Sequence, residues 1–275
     1  MQIKFSVITV CFNDCEGIEK TVRSVVEQTC SDYEYIVIDG GSTDGSVDVI
    51  EKYKHNIHYW ISEKDNGVYA AMNKAIKVAK GDYCIFMNSG DSFFSNDVLE
   101  KVESLNIDCD LAVGGACMTR EEKRLSFVLP PKSVSVGFWL YHSVIHQAAF
   151  MRTAYLKEKF YDESFKIVAD WKYMISEYLS RRYIYQSIPF TICCFDTTGM
   201  SSNEKRRNAE REKALKEVLP PMIYDDYKKY AGLKPLYSND TLLNNLNEVC
   251  KYRTLVRLLS KGLSVILKLY TRLKQ

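Results

Sequence analysis

Over the first ninety residues the chain alternates two patterns. Phe5-Ser6-Val7-Ile8-Thr9-Val10-Cys11, Tyr35-Ile36-Val37-Ile38 and Tyr83-Cys84-Ile85-Phe86-Met87 are apolar and β-branched runs with little polar face, the signature of parallel strands buried on both sides. Between them apolar positions recur at helical spacing: Ile18, Val22, Val25 and Val26 after the possible caps Asn13 and Asp14, then Val47 to Tyr53, then Val68, Met72, Ala75, Ile76 and Ala79. Ile57 to Ser62 reads as a further strand. Strand and helix alternating through short links predict a mostly parallel, doubly wound α/β sheet with helices on both faces and right-handed crossovers.

Beyond Asp91 the rhythm loosens. Helices are expected at Asn96 to Leu105, capped by Ser95, at Ala154 to Phe160 and from Asp170, whose apolar side is Trp171, Met174, Ile175, Tyr178 and Leu179. Leu111 to Val113 and His146 to Met151 read as strands. Tyr183 to Phe195 reads as one or two strands interrupted at Pro189, and Thr119 to Leu129 as an irregular, charged hairpin. The chain divides into a domain at 1–202, with halves of about 1–95 and 96–202, and a helical extension at 203–275. Within the extension, Lys251 to Gln275 carries no acidic residue. Arg253, Arg257, Lys261, Lys268 and Arg272 share one helical face, and Leu255, Leu258, Leu259, Val265, Ile266, Leu269 and Leu273 take much of the rest. Such a helix can lie on an anionic membrane surface or pack on the domain.

Composition adds exclusions. With 275 residues, 46% hydrophobic, the chain can bury a large core, and no apolar run is long enough to span a bilayer. A net charge of +2 argues against a general nucleic-acid partner. The nine cysteines lack C-x-x-C spacing, and Met1 to Lys4 leads straight into a strand, so free thiols in a reducing cytoplasm are expected, without a secretory leader.

Candidate chemistry gathers where strands end, the edge at which open α/β sheets bind ligands. Asn88-Ser89-Gly90-Asp91 follows a strand and presents one carboxylate suited to a hard divalent cation, although turn chemistry alone also accounts for it. Asp39-Gly40-Gly41 follows another strand, with a carboxylate able to accept from a base or ribose and glycines that let backbone approach. Lys64-Asp65-Asn66-Gly67 precedes a helix that carries Asn73 in its second turn, and a helix start favours phosphate. Asp170 opens a helix, as a cap or as a general base. His146-Gln147 suits hydrogen bonding to a substrate. The His142 and His146 pair has metal-ligand spacing, but no third ligand is evident.

As a set, Val7 to Asn13, Val37 to Gly45, Asp65-Asn66-Gly67, Gly81-Asp82-Tyr83 through Asp91, His146-Gln147 and Ala169-Asp170 resemble the family 2 inverting glycosyltransferases of the GT-A fold, in order and spacing across most of residues 3–202. The resemblance implies a nucleotide-sugar donor, usually a UDP-sugar, a Mg2+ or Mn2+ ion, and a glycan or lipid-linked saccharide acceptor in surface-polysaccharide assembly. The enzyme would work in the cytoplasm, at the inner face of the membrane if the C-terminal helix touches lipid. Carried onto matching positions, it places Thr9, Asn13 and Asp39 at the nucleotide, Asp91 on the metal and Asp170 as base. Asp65, Asn66, Asn73, Asn88, His146 and Gln147 would complete the donor pocket. The acid that usually precedes the metal-binding aspartate is replaced here, since the turn reads Asn88-Ser89-Gly90-Asp91. The Q-x-x-R-W motif of processive synthases is absent, which implies single-sugar addition. Two competitors remain open. A sugar-nucleotide nucleotidyltransferase needs a basic glycine-rich loop after the first strand, where Cys11-Phe12-Asn13-Asp14-Cys15 stands. A noncatalytic nucleotide-sugar sensor would have no use for Asp170.

Overall fold

The computed structural model describes residues 3–120, 123–181, 183–199, 202–230, 248 and 251–273. β1 (Phe5–Cys11) is fully buried, and its neighbours β2 (Tyr33–Asp39) and β4 (Tyr83–Phe86) run parallel to it on either side. β3 (Tyr59–Ser62) extends the sheet beyond β2, also in parallel. The crossovers are α1 (Cys15–Val26), α2 (Ser46–Lys52) and α3 (Val68–Val78).

Burial on both faces explains the apolar runs. Phe5 and Val7 face a core built with Ile18, Val22 and Val25 of α1 and with Val98, Leu99 and Val102 of α4 (Val98–Ser104). Ile8 and Ile38 are equally buried on sheet strands against which α3 packs. Each such side chain contributes about 1.5–3 kcal/mol of burial free energy. The link Lys80-Gly81-Asp82 threads tightly past the start of β1. A Cβ at Gly81 would lie 2.6 Å from the Phe5 carbonyl carbon and the Ser6 nitrogen, so only glycine fits. Beneath it the buried Glu34 carboxylate accepts from the Ser6 hydroxyl at 2.6 Å and from the Gly81 amide.

The second half completes the sheet with mixed polarity. β8 (Ala149–Arg152) pairs antiparallel with both β4 and β6 (Leu111–Arg120), and β6 pairs in parallel with β9 (Tyr185–Asp196). β5 (Ser92–Phe93) closes on β9, giving the order β3-β2-β1-β4-β8-β6-β9-β5, with β7 (Lys123–Val128) paired to β6. Several expectations are corrected here. β6 runs on through Gly114 and Gly115, because Ile192 lies within 2.3 Å of where a Gly114 Cβ would stand and takes that space. β9 is one strand through Pro189, with its pairing to β6 shifting register around Gly115. His146–Ala148 forms a 3-10 turn ahead of β8. Asp97 occupies the N-cap position of α4, and Ser95 donates to its carboxylate.

α5 (Val136–Tyr141), α6 (Thr153–Glu158) and α7 (Ala169–Ser180) lie in this half, and α8 (Glu204–Val218) packs on α7. The chain forms two compact units, Met1–Val218 and Leu219–Gln275, so α8, which the sequence assigns to the extension, belongs to the first. In the second unit α9 (Pro221–Tyr230) and α10 (Arg253–Leu273) are helical. Residues 231–247 of the expected helical extension lie outside the described residues, as do the side chains from 265 onward. Among the described residues no helix is long and apolar enough to cross a membrane.

Candidate active site

The parallel register sets Cys11 beside Asp39 and so brings the ends of β1 and β2 to one edge. There the Asp39 carboxylate is wholly buried. It accepts from the amides of Gly41 and Ser42 at 3.0 and 2.9 Å, from the Ser42 hydroxyl, and from the Ser62 hydroxyl at 2.6 Å. Four bonds use most of its acceptor capacity. The aspartate expected to face the base thus fixes the loop that would. Asn13 shares in this: its Oδ1 accepts from the Thr43 amide at 2.9 Å, and its own amide donates to Ser42 Oγ. Gly40 is where two loops meet. A Cβ there would stand 2.9 Å from Asp65 Oδ2 and 3.2 Å from the Phe12 ring. Phe12 itself is 64% exposed. Sequence reasoning passed over it, although an aromatic at a strand end between Cys11 and Asn13 was a legible signal.

Thr9 is turned inward. Its hydroxyl donates to Met87 O at 2.8 Å and lies 2.9 Å from Tyr35 Oη, bridging three strands below the edge. Asn73 is likewise buried and clamps α3 to the following half, donating to Tyr161 O and Glu163 and accepting from the Tyr161 amide, each at 2.9 Å. Asp65 accepts from the Gly67 amide at 2.8 Å, and the Asn66 carbonyl receives Lys166 Nζ at 2.8 Å.

The turn after β4 is gripped by α1. Thr21 Oγ1 lies within bonding distance of Asn88 O and Asp91 O and receives the Gly90 amide. Lys20 Nζ donates to Gly90 O at 2.7 Å. Asp91 then points into the second half, where Gln147 Nε2 donates to Oδ2 and the Asp196 amide to Oδ1, both at 2.8 Å. Burial pushes its carboxyl up to about 7 against the pull of these bonds and of Lys20, and the nearby Asp196 charge adds to the rise. Asp196 ends β9, one residue past the strand expected from Tyr183 to Phe195.

The resemblance implies a divalent cation here. Among the described residues no group of three or more His, Cys, Asp or Glu gathers as a ligand set. The strand end offers Asp91 and Asn88 Oδ1, the latter buried without a hydrogen-bond partner. Mg2+ is commonly held by one or two carboxylates with substrate phosphates, and Mn2+ accepts the same oxygens. The residues present fit such a site.

Asp170 sits in the first turn of α7, partly exposed, where the helix N-terminus favours a carboxylate. Its Oδ1 lies 2.8 Å from Tyr69 Oη, which is also 2.8 Å from Ile167 O. The chain leading into α7 is fixed from α8: the Glu210 carboxylate accepts from the Ile167 amide at 2.8 Å and from that of Lys166. Nothing in the sequence marks Glu210 out from its charged helix. His146 is buried, stacked on Phe86 and 2.9 Å from Tyr161 Oη. Burial lowers its pKa, while Asp170 acts in the opposite sense. Its ring packs between Phe86 and Tyr161 and is closed off from solvent.

The chain is similar to known proteins in sequence and in fold. The family described as Glycosyl transferase family 2 matches residues 6–207. An uncharacterized glycosyltransferase of Mycobacterium tuberculosis H37Rv is 36% identical over 206 residues, which span 73% of this chain and 78% of that protein. Among solved structures, S. aureus TarS 1-349 in complex with UDP-GlcNAc aligns with a TM-score of 0.61 at 19% identity, over 78% of this chain and 65% of that one. The mannosyltransferase PcManGT from Pyrobaculum calidifontis, in complex with GDP-Man and Mn2+, aligns at 0.59 with 17% identity, over 96% and 80%. The structures carry the GT-A fold, and the family match together with the mycobacterial relative carries membership: the chain belongs to glycosyl transferase family 2 and is a glycosyltransferase.

Proposed function

We propose that the protein transfers one sugar from a UDP-sugar to a glycan or lipid-linked saccharide, with inversion at the anomeric carbon. The observation that carries this reading is the placing of Asp170: a part-exposed carboxylate at a helix start, held by Tyr69. Tyr69 lies on α3, directly after the Asp65-Asn66-Gly67 turn, so donor loop and base are tied together. The acceptor hydroxyl attacks the anomeric carbon as the bond to the diphosphate breaks, through an oxocarbenium-like transition state. Asp170 takes the hydroxyl proton. Tyr69 holds the carboxylate in position, and Glu210 fixes the chain entering its helix. Asp39 and Asn13 hold the loop at the β1 and β2 ends, and Phe12 offers a face on which a base can stack. Asp91 and Asn88 would hold a divalent cation, which when bound offsets charge on the leaving diphosphate. TarS with UDP-GlcNAc supports a nucleotide-sugar donor, and PcManGT with GDP-Man and Mn2+ supports both donor class and metal.

The test is binding of a panel of nucleotide-sugars by calorimetry in Mg2+, Mn2+ or EDTA. One UDP-sugar should bind, more tightly with metal. Phe12→Ala should weaken it roughly tenfold or more, since stacking one base on an aromatic is worth about 1–3 kcal/mol. No binding of any nucleotide-sugar under any condition overturns the reading.

The C-terminal helix adds a location. α10 exposes Leu255, Leu258, Leu259 and Leu263 alongside Arg253, Arg257 and Lys261, a face suited to the anionic inner surface of the cytoplasmic membrane. Co-sedimentation with anionic vesicles, absent with neutral ones and lost on removing residues 253–275, is the expected outcome.

A further inference from the structure

The sequence points to Asp39 for the donor base, and the fold spends Asp39 elsewhere. Its carboxylate is wholly buried and takes its bonds from the Gly41 and Ser42 amides and the Ser42 and Ser62 hydroxyls. An ionised carboxylate has about four acceptor sites, so little is left for a ligand. A base lying on Phe12 must therefore meet another acceptor.

Gly40 marks where that acceptor stands. Its amide donates to Cys11 O at 2.9 Å, which holds it at the shared end of β1 and β2. A side chain at this position would begin where two others already arrive. Its Cβ would lie 2.9 Å from Asp65 Oδ2 and 3.2 Å from Phe12 Cδ2. The missing side chain at 40 is thus replaced by a carboxylate from the neighbouring loop. Asp65 is partly exposed, and Phe12 beside it is exposed. Asp65 Oδ1 accepts from the Gly67 amide at 2.8 Å, which fixes the carboxylate, and Oδ2 has no donor among the described residues.

The chemistry of that free oxygen narrows the base. A carboxylate only accepts, so it needs an N–H on the edge it faces. Uracil presents one, N3–H. Cytosine presents an unprotonated N3 at the same place, and the two acceptors repel. Guanine presents N1–H and its amino group side by side, a pair that calls for two acceptors, and Asp65 has one oxygen to give because the other holds Gly67.

We infer that Asp65 selects the base of the donor, its Oδ2 accepting from uracil N3–H while the ring lies on Phe12. The inference rests on the nucleotide-sugar reading and deepens it. Base recognition passes from Asp39 to Asp65, Asp39 becomes a positioning residue for its loop, and Gly40 is the residue that lets Asp65 reach the strand end.

Calorimetric titration of UDP, N3-methyl-UDP, CDP and GDP in Mn2+ tests it. The wild type should bind UDP roughly tenfold or more tightly than N3-methyl-UDP, the scale of one hydrogen bond to a charged group. Asp65→Ala should weaken UDP and bind UDP and N3-methyl-UDP alike, because the substitution and the methyl group remove the same bond. Asp65→Asn keeps an oxygen for the Gly67 amide and puts an N–H group where Oδ2 stood, so it should weaken UDP and strengthen CDP. Gly40→Ala, whose Cβ displaces the carboxylate, should lose the same discrimination. A purely structural Asp65 predicts otherwise: every nucleotide weakens by one factor and the ratios stay as in the wild type. That result overturns the inference. So does a wild type that binds N3-methyl-UDP as tightly as UDP, or GDP more tightly than UDP. No binding of any of the four nucleotides by the wild type overturns the underlying donor reading instead.

Discussion

Asp170→Asn should reduce sugar transfer by about 10²- to 10⁴-fold, the usual contribution of a positioned general base, and leave the affinity for the donor nearly unchanged. The substitution keeps shape and removes only the capacity to take a proton. Tyr69 Oη, 2.8 Å from Oδ1, can donate to the amide oxygen as it does to the carboxylate. α7 loses one first-turn charge, a matter of about 0.3–1 kcal/mol, too little to unfold the domain. The loss should therefore fall on kcat, with donor binding by calorimetry and the melting temperature close to wild type. A merely capping Asp170 predicts the reverse, a lower melting temperature with turnover retained. Turnover within about threefold of wild type would remove Asp170 as base and revive the noncatalytic sensor.

The sequence made the first half legible because its information is local. Phe5 to Cys11, Tyr35 to Ile38 and Tyr83 to Met87 each carry enough apolar pattern to name a buried strand, and the helices between them follow from spacing alone. The second half is built from distant pairings. β6 joins β9 in parallel, β8 enters antiparallel between β4 and β6, and β5 closes on β9, none of which a local pattern encodes. The site divides in the same way. Asp91 and Asp170 stand out as strand-end and helix-start carboxylates, but the partners of Asp91 lie 56 and 105 residues away at Gln147 and Asp196. Those distances also hid which polar groups face inward. Thr9, Asn73 and His146 have residue types that suit a ligand, and they are spent on Met87, Tyr161 and Phe86 because the fold surrounds them with partners. Glu210 reaches back 43 residues to the Ile167 amide, a role its own helix gives no sign of.

Asp91→Asn should remove a pH-dependent loss of stability. Burial is the main cause that lifts the Asp91 carboxyl to about 7, well above the roughly 3.9 of an unfolded aspartate. Between those values the folded protein keeps a proton that the unfolded chain has released. A group raised in this direction favours the fold below its unfolded pKa and withdraws that support as pH climbs through its folded pKa. At about 1.4 kcal/mol per unit, some three units set a ceiling on the order of 4 kcal/mol between about pH 4 and pH 7. In EDTA, urea unfolding at intervals from pH 5 to pH 8 should show the wild type losing stability relative to Asp91→Asn, which carries no charge at any of these pH values. Comparing the two cancels every other titrating group, and parallel profiles would show that Asp91 ionises as an ordinary surface acid. At pH 8, Mn2+ should then raise the wild-type midpoint and leave that of Asp91→Asn in place, because a cation bound only by the folded state adds its binding free energy to stability. The two halves of the prediction have one cause. A carboxylate desolvated among Gln147, the Asp196 amide and the α1 clamp is costly to ionise alone, and for that reason it gains more than an exposed one when a cation shares its charge.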